Sequence, residues 1–242
     1  MLEIRGVQAG FGSLRVLLDV GVVVPPATSM GLIGPNGAGK TTLLNVVSGF
    51  VRPLAGELRL DGRDLGPLSP PDRSRAGVGR TFQTPVLFAG LTLSQSLRVT
   101  ARQRSRDAGR TAVRASDVLA LTGLTGVSER PAESLTGYQR RLAEIARALM
   151  LAPRVLLLDE PASGLRESEI DELAGLINVL REHYEISTLV VSHDMALVRG
   201  CCPVVTVLHE GQVLSSGASA TVLREPAVVE AYFGSENVDA YG

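Results

Sequence analysis

Cysteine is nearly missing from this chain: there are two in 242 residues, side by side at Cys201 and Cys202. Adjacent thiols make a poor structural disulfide and have no metal-ligand spacing, so both read as buried thiols in a reducing compartment. Net charge is nearly missing too. The formal balance is −1, which gives no electrostatic case for nucleic acid, although local basic patches stay open. Also lacking is a long unbroken apolar run. Val20 to Gly39 carries no charge, but Pro25, Pro26, Pro35 and several glycines interrupt it, so no membrane helix is expected. The opening Met1-Leu2-Glu3-Ile4-Arg5 has no signal-peptide core. No low-complexity tract or obvious repeat follows. At 45% hydrophobic and 20% charged, such a chain buries roughly three-quarters of its unfolded surface. A cytosolic globular protein is expected, any membrane contact passing through a partner.

What the chain does have is Gly34-Pro35-Asn36-Gly37-Ala38-Gly39-Lys40-Thr41-Thr42. The apolar run Met30 to Ile33 before it reads as a buried strand, and Leu43 to Val47 after it as a helix. Glycines at 34, 37 and 39 let the backbone curl so that successive N–H groups point at a phosphate. The helix start adds its positive dipole end. In this pattern Lys40 reaches the β- and γ-phosphates and the Thr41 hydroxyl is a ligand of Mg²⁺. The alternative is an accidental Gly-rich turn, which would not need a strand before and a helix after.

Residues 2–8 and 16–24 read as strands of a small antiparallel sheet, turning at Phe11-Gly12-Ser13. Short strands are expected at 57–60, closed by Asp61-Gly62, and at 77–82. Residues 93–104 and 111–122 favour helix. The Arg-rich stretch between them, Arg102 to Arg110, reads as a solvated turn rather than a nucleic-acid site. A helix over 138–151 leads past Pro153 into a buried strand, 155–158. Helix 168–184 and strands 188–191 and 204–208 complete the pattern. Strands alternating with helices predict a parallel sheet with phosphate chemistry at its carboxyl ends. The helical middle would be a subdomain inserted into that core.

Val155-Leu156-Leu157-Leu158 runs into Asp159-Glu160-Pro161. Two carboxylates after four aliphatic residues are costly unless they meet a cation or a reacting group. Asp159 is placed to hold Mg²⁺, through water, with Thr41 on the other side of the ion. Glu160 is placed to orient and deprotonate an attacking water. His193 ends another apolar strand, expected beside that of Asp159. It is either structural or a donor to the γ-phosphate that helps fix the water. Gln83, in Arg80-Thr81-Phe82-Gln83, either contacts Mg²⁺ or that water, or is a polar strand end.

The order of glycine-rich loop, Gln83, Leu135-Thr136-Gly137-Tyr138-Gln139, Asp159-Glu160 and His193 resembles the ATP-binding subunit of ABC transporters, over essentially the whole chain. Arg80 to Gln83, Leu87-Phe88, Leu91-Thr92-Leu93, His193-Asp194-Met195 and the tail Ala231-Tyr232-Phe233-Gly234 are similar to the subfamily that imports branched-chain amino acids and related small polar solutes. The resemblance implies an α/β fold: a P-loop NTPase core with a parallel sheet, an N-terminal antiparallel β subdomain and an α-helical subdomain inserted at about 84–152. Residues 1–242 would form one ATP-binding domain. It implies that Phe11 stacks on adenine, where Tyr is commoner, and that Gly34 to Thr42 wrap the phosphates of ATP. Gln83 would sense Mg²⁺ and relay to the membrane partner, and Glu160 would be the catalytic base.

Two such subunits would pair head to tail, each ATP lying between one phosphate loop and the other chain's signature segment, to which Thr136, Gly137 and Gln139 belong. Membrane-spanning permease subunits would insert short helices into the helical subdomain and the groove near Gln83. The chain would then sit at the cytoplasmic face of the membrane, with an extracytoplasmic solute-binding protein acting indirectly. Two positions depart from the family pattern. Tyr138 stands where the signature usually keeps glycine, and Arg166 stands where Asp or Asn is usual. Both belong to parts offered to the partner's nucleotide, which suggests an asymmetric pair with a related subunit; a homodimer in which Tyr138 turns away is the alternative. An exporter of lipid or drug is a rival reading. Non-transport ABC ATPases usually carry a long coiled coil, a duplicated unit or basic extensions, and none is present. A kinase or GTPase would need a guanine-reading motif or an acceptor site, and neither is found.

Overall fold

The structure is a computed structural model that describes residues 1–83, 87, 90–102 and 114–233. In chain order it runs β1 (Leu2–Phe11), β2 (Leu14–Val24), β3 (Ser29–Ile33), α1 (Lys40–Ser48), β4 (Ala55–Leu60), β5 (Arg63–Asp64), α2 (Pro70–Ala76) and β6 (Val78–Arg80). The helical middle holds α3 (Leu93–Ala101), α4 (Ala115–Leu121) and α5 (Gly137–Leu149). Then follow β7 (Val155–Asp159), α6 (Glu167–Tyr184), β8 (Ser187–Val191), α7 (Met195–Cys201), β9 (Val204–His209), β10 (Gln212–Ala218), α8 (Ser219–Val222) and α9 (Pro226–Phe233).

Two sheets form. β2-β1-β4-β5 is antiparallel throughout, and Phe11 is the last residue of β1, opposite Leu14, rather than part of the turn. The second sheet has the order β10-β9-β3-β8-β7-β6, parallel except for the edge strand β10. β3, β7 and β8 are buried at every residue, as strands covered on both faces must be. β10 alternates exposed and half-buried residues, the pattern of a solvated edge. The expected neighbour relation holds: β8 lies beside β7, with Asp159 opposite Val191.

Side-chain parity along β7 divides the interior. Leu156 and Leu158 join a core with Ile145, Leu149, Leu173 and Ile177 from α5 and α6. Val155 and Leu157 join Leu43, Val46 and Val47 of α1 and the apolar face of the antiparallel sheet. Because period two continues, Asp159 falls on the side of α1. Ile170, Leu173, Ala174 and Ile177 repeat at helical spacing and bury one face of α6. Among the described residues no helix is long and apolar enough to cross a membrane. Cys201 and Cys202 are buried free thiols.

Several boundaries differ from expectation. β6 stops at Arg80, although the Thr81 amide still donates to the Leu157 carbonyl at 2.9 Å. Gln83 therefore lies three residues beyond the strand. α3 closes at Ala101, and the observed α4 begins at Ala115. The rest of the Arg-rich stretch beyond Arg102, residues 111–113, Phe88 and Gly234 lie outside the described residues. α2, α7, α8, α9 and β10 were not anticipated. α7 is seven residues long, too short to show a period, and is started by the Asp194 side chain accepting the Leu197 amide at 2.9 Å.

Candidate functional site

The loop after β3 is shaped by contacts that only glycine permits. At Gly34, φ is +144° and a Cβ would lie 1.9 Å from the Leu208 carbonyl oxygen. At Gly39, φ is +103° and a Cβ would meet Leu17 Cδ2 at 2.7 Å. Gly39 caps α1 in the left-handed region with no side-chain hydrogen bond, and no acidic residue occupies the first turn. The leading amides and the dipole of α1 are thus left for an external anion. Lys40 is 8% exposed, and its Nζ donates to the carbonyls of Gly34 (2.6 Å) and Pro35 (2.8 Å). An ammonium has three donors, so one remains for a ligand. Burial pushes the Lys40 pKa below its ordinary value, while the charges of Glu160 and Asp159 pull it back.

The ends of β3, β7 and β8 converge on one edge of the sheet. Asp159 is buried, and burial raises its carboxyl above the usual range against the opposing pull of Arg80, Arg141 and Lys40. Glu160 sits at φ +47°, its amide donating to the Val191 carbonyl at 2.9 Å. A non-glycine residue held there is strained and turns the carboxylate out of the sheet edge. Glu160 Oε2 accepts the His193 amide at 3.3 Å and lies 2.8 Å from His193 Nδ1. The expected donor to phosphate is thus committed to the glutamate. With Nδ1–H facing Glu160, the Nε2 of a neutral ring is an acceptor, and donation from Nε2 requires the imidazolium.

Other predicted residues are dispersed. Phe11 is 54% exposed at the β1–β2 turn, and Gln83 is exposed beyond β6. Thr136, Gly137 and Gln139 open α5. There the Thr136 hydroxyl accepts the Gln139 amide (3.2 Å) and the Gln139 side chain accepts the Thr136 amide (3.1 Å), a capping box. Tyr138 packs half-buried against the larger core, its hydroxyl paired with Glu172, and burial raises its pKa. Arg166 caps α6 and is tied to Glu169 at 2.8 Å.

Sequence reasoning missed a buried ionic cluster behind Asp159. Arg80 Nη2 donates to Asp159 Oδ2 at 3.3 Å. Arg141 donates to the carbonyls of Phe82 (2.8 Å) and Gln83 (3.0 Å), and Glu144 accepts the Phe82 amide at 3.0 Å. The signal was available for Glu144: a carboxylate inside Leu142-Ala143-Glu144-Ile145-Ala146 must have a buried partner. Tyr232 of α9 is also near the loop. Burial pushes its phenol up to about 12, offset by a hydrogen bond with the Gly34 backbone.

Among the described residues no three His, Cys, Asp or Glu side chains converge as a metal cage. The Asp159 carboxylate and the Thr41 hydroxyl are hard oxygen donors, the set a Mg²⁺ ion takes when substrate phosphates supply the rest.

The family described as ABC transporter matches residues 17–163. The chain belongs to the ABC transporter family. It is 36% identical over 249 residues to a high-affinity branched-chain amino acid transport ATP-binding protein, BraF, of Pseudomonas aeruginosa, covering 97% of this chain and 98% of that one. It is 34% identical over 239 residues to a lipopolysaccharide export system ATP-binding protein, LptB, of Acidithiobacillus ferridurans, covering 98% and 99%. A crystal structure of a nucleotide-free ATP-binding cassette from an ABC transporter superposes with a TM-score of 0.86 at 27% identity, covering 97% and 99%. The chain is therefore the ATP-binding, ATP-hydrolysing subunit of an ABC transporter. Such ABC ATPase subunits work with membrane permease components and dimerise.

Proposed function

We propose that this ABC subunit powers import of branched-chain amino acids or a similar small polar solute. The import reading is carried by the near end-to-end alignment with an amino-acid transport relative, and the ATPase chemistry by the Glu160–His193 pair in a chain with a glycine-built phosphate loop. The loop Gly34 to Thr42 wraps the phosphates of ATP through its available N–H groups, and the third donor of Lys40 meets the β- and γ-oxygens. Asp159 and Thr41 would hold Mg²⁺, with Gln83 joining them from beyond β6, and the ion would supply charge neutralisation at the phosphates. Glu160 takes the proton of the attacking water, and His193 holds the Glu160 carboxylate in line. Phe11 offers its exposed ring to adenine.

The chain pairs head to tail with a second ATP-binding subunit at the cytoplasmic face of the membrane. Thr136, Gly137 and Gln139 are presented to the partner's nucleotide, and the groove near Gln83 receives short permease helices. A related rather than identical partner is supported by Arg166, whose side chain is 80% exposed where the family usually carries Asp or Asn. Tyr138 supports that case less, because its hydroxyl bonds Glu172. Tyr138→Gly is expected to cost about 2 kcal/mol of stability and to leave the reconstituted transporter's ATPase rate within about twofold. A large rise in rate would return Tyr138 to the role of a block at the interface.

The export-system relative favours a second reading, an exporter subunit, at nearly the same identity. Reconstitution with the cognate membrane subunits decides between them. Stimulation of ATPase activity by a solute-loaded extracytoplasmic binding protein is the expected result, and lack of stimulation with tight permease binding would favour export.

A further inference from the structure

Arg80 stands between α1 and Asp159. It ends β6, and its side chain is 7% exposed. Nη1 donates to Asn45 Oδ1 at 2.8 Å and to Ser48 Oγ at 2.6 Å, both on α1. The bond from Nη2 to Asp159 Oδ2 is longer, 3.3 Å. Ionised pairs commonly close to about 2.7–2.9 Å, so the carboxylate contact is the loose one. Nε has no hydrogen-bond partner among the described residues. The guanidinium is held by two bonds to α1 and by one longer bond to Asp159.

On its other side are two rings. The guanidinium carbon lies 5.0 Å from the Phe82 ring centre and 5.6 Å from that of Phe50, within cation–π reach. The rings meet edge to face at 5.9 Å and 68°. Phe50 is 58% exposed, and both rings wall a groove of about 490 Å³ with Pro70, Pro71, Thr100 and Leu151. A cation close to Oδ2 lowers the negative potential that a divalent ion would feel there; drawing it toward the rings restores that potential.

We propose that Arg80 is a positioning residue that competes with the metal ion for Asp159, and that the Phe50–Phe82 pair sets the strength of the competition. The proposal rests on the reading of Asp159 as a metal-holding group. It follows that a change in the packing of Phe50 alters the grip on the ion through Arg80.

The test is direct binding of Mn²⁺, followed by electron paramagnetic resonance, to the full chain saturated with a non-hydrolysable ATP analogue. Arg80→Met is expected to tighten Mn²⁺ binding several-fold, because the competing charge is gone. Phe50→Ala is expected to weaken it about threefold, the scale of one cation–π contact, and to change nothing in the Arg80→Met background. Analogue affinity without metal should not respond to Phe50→Ala. Weaker Mn²⁺ binding in Arg80→Met, or an equal Phe50→Ala effect in both backgrounds, overturns the proposal. Arg80→Lys serves as a second background should Arg80→Met not fold: it keeps the charge but not the planar face, and the Phe50→Ala effect should shrink there. Asp159→Asn separates the two layers of argument. If that change leaves Mn²⁺ affinity intact, it is the metal reading of Asp159 that fails.

Discussion

Glu160→Gln is expected to bind ATP as the parent does and to lose turnover by about 10²–10⁴. The substitution is isosteric, and the amide oxygen can still accept from His193, whose Nδ1 lies 2.8 Å from the carboxylate. The backbone at φ +47° is unaffected, since the Glu160 amide keeps its bond to Val191. What disappears is a carboxylate able to take a proton from water. Because the groups that grip the nucleotide are untouched, the ATP-bound pair of subunits should accumulate. The steady-state rate at saturating ATP, with the elution volume of the nucleotide-bound protein, checks both halves. Undiminished hydrolysis would remove Glu160 from the role of base.

Lys40→Ala should fail one step earlier, at binding. Lys40 Nζ closes the loop onto Gly34 and Pro35 and has one donor left for a ligand. A hydrogen bond to a charged group contributes about 1.5–3 kcal/mol. Losing that bond, together with the loop closure, predicts about a hundredfold weaker affinity for ATP. A calorimetric titration with ATP measures this. An unchanged dissociation constant would mean that the amides of α1 hold the phosphates without the lysine. The contrast between the variants is itself informative: one binds without turning over, the other scarcely binds.

The candidate phosphate loop was legible because its pattern is local. Three glycines, a lysine and a threonine stand within nine residues, and the flanking strand and helix are signalled by adjacent apolar runs. Asp159 and Glu160 were legible for a related reason, since carboxylates at the end of Val155-Leu156-Leu157-Leu158 demand a counterpart. The pairing of His193 with Glu160 spans 33 residues, and the sequence pointed both toward one crevice without showing that they bond. Arg80 was invisible as a site residue. It gathers Asn45 and Asp159, which lie 35 and 79 positions away, and nothing at position 80 itself announces either. For Tyr138 the departure from a glycine position was plain in the sequence, but its hydrogen bond with Glu172 on another helix was not.

From sequence alone came the α/β class, the nucleotide chemistry, the candidate carboxylates Asp159 and Glu160 and the family, because periodicity, turn residues and glycine-rich loops act over a few residues. Only the tertiary structure decided which charges meet. The order β3-β8-β7-β6 brings the ends of four distant segments to one edge, and parity along β7 sends Asp159 toward α1, where Arg80 bonds it. Strand order and side-chain direction arise from packing two apolar faces against different layers, and that packing is a property of the whole chain.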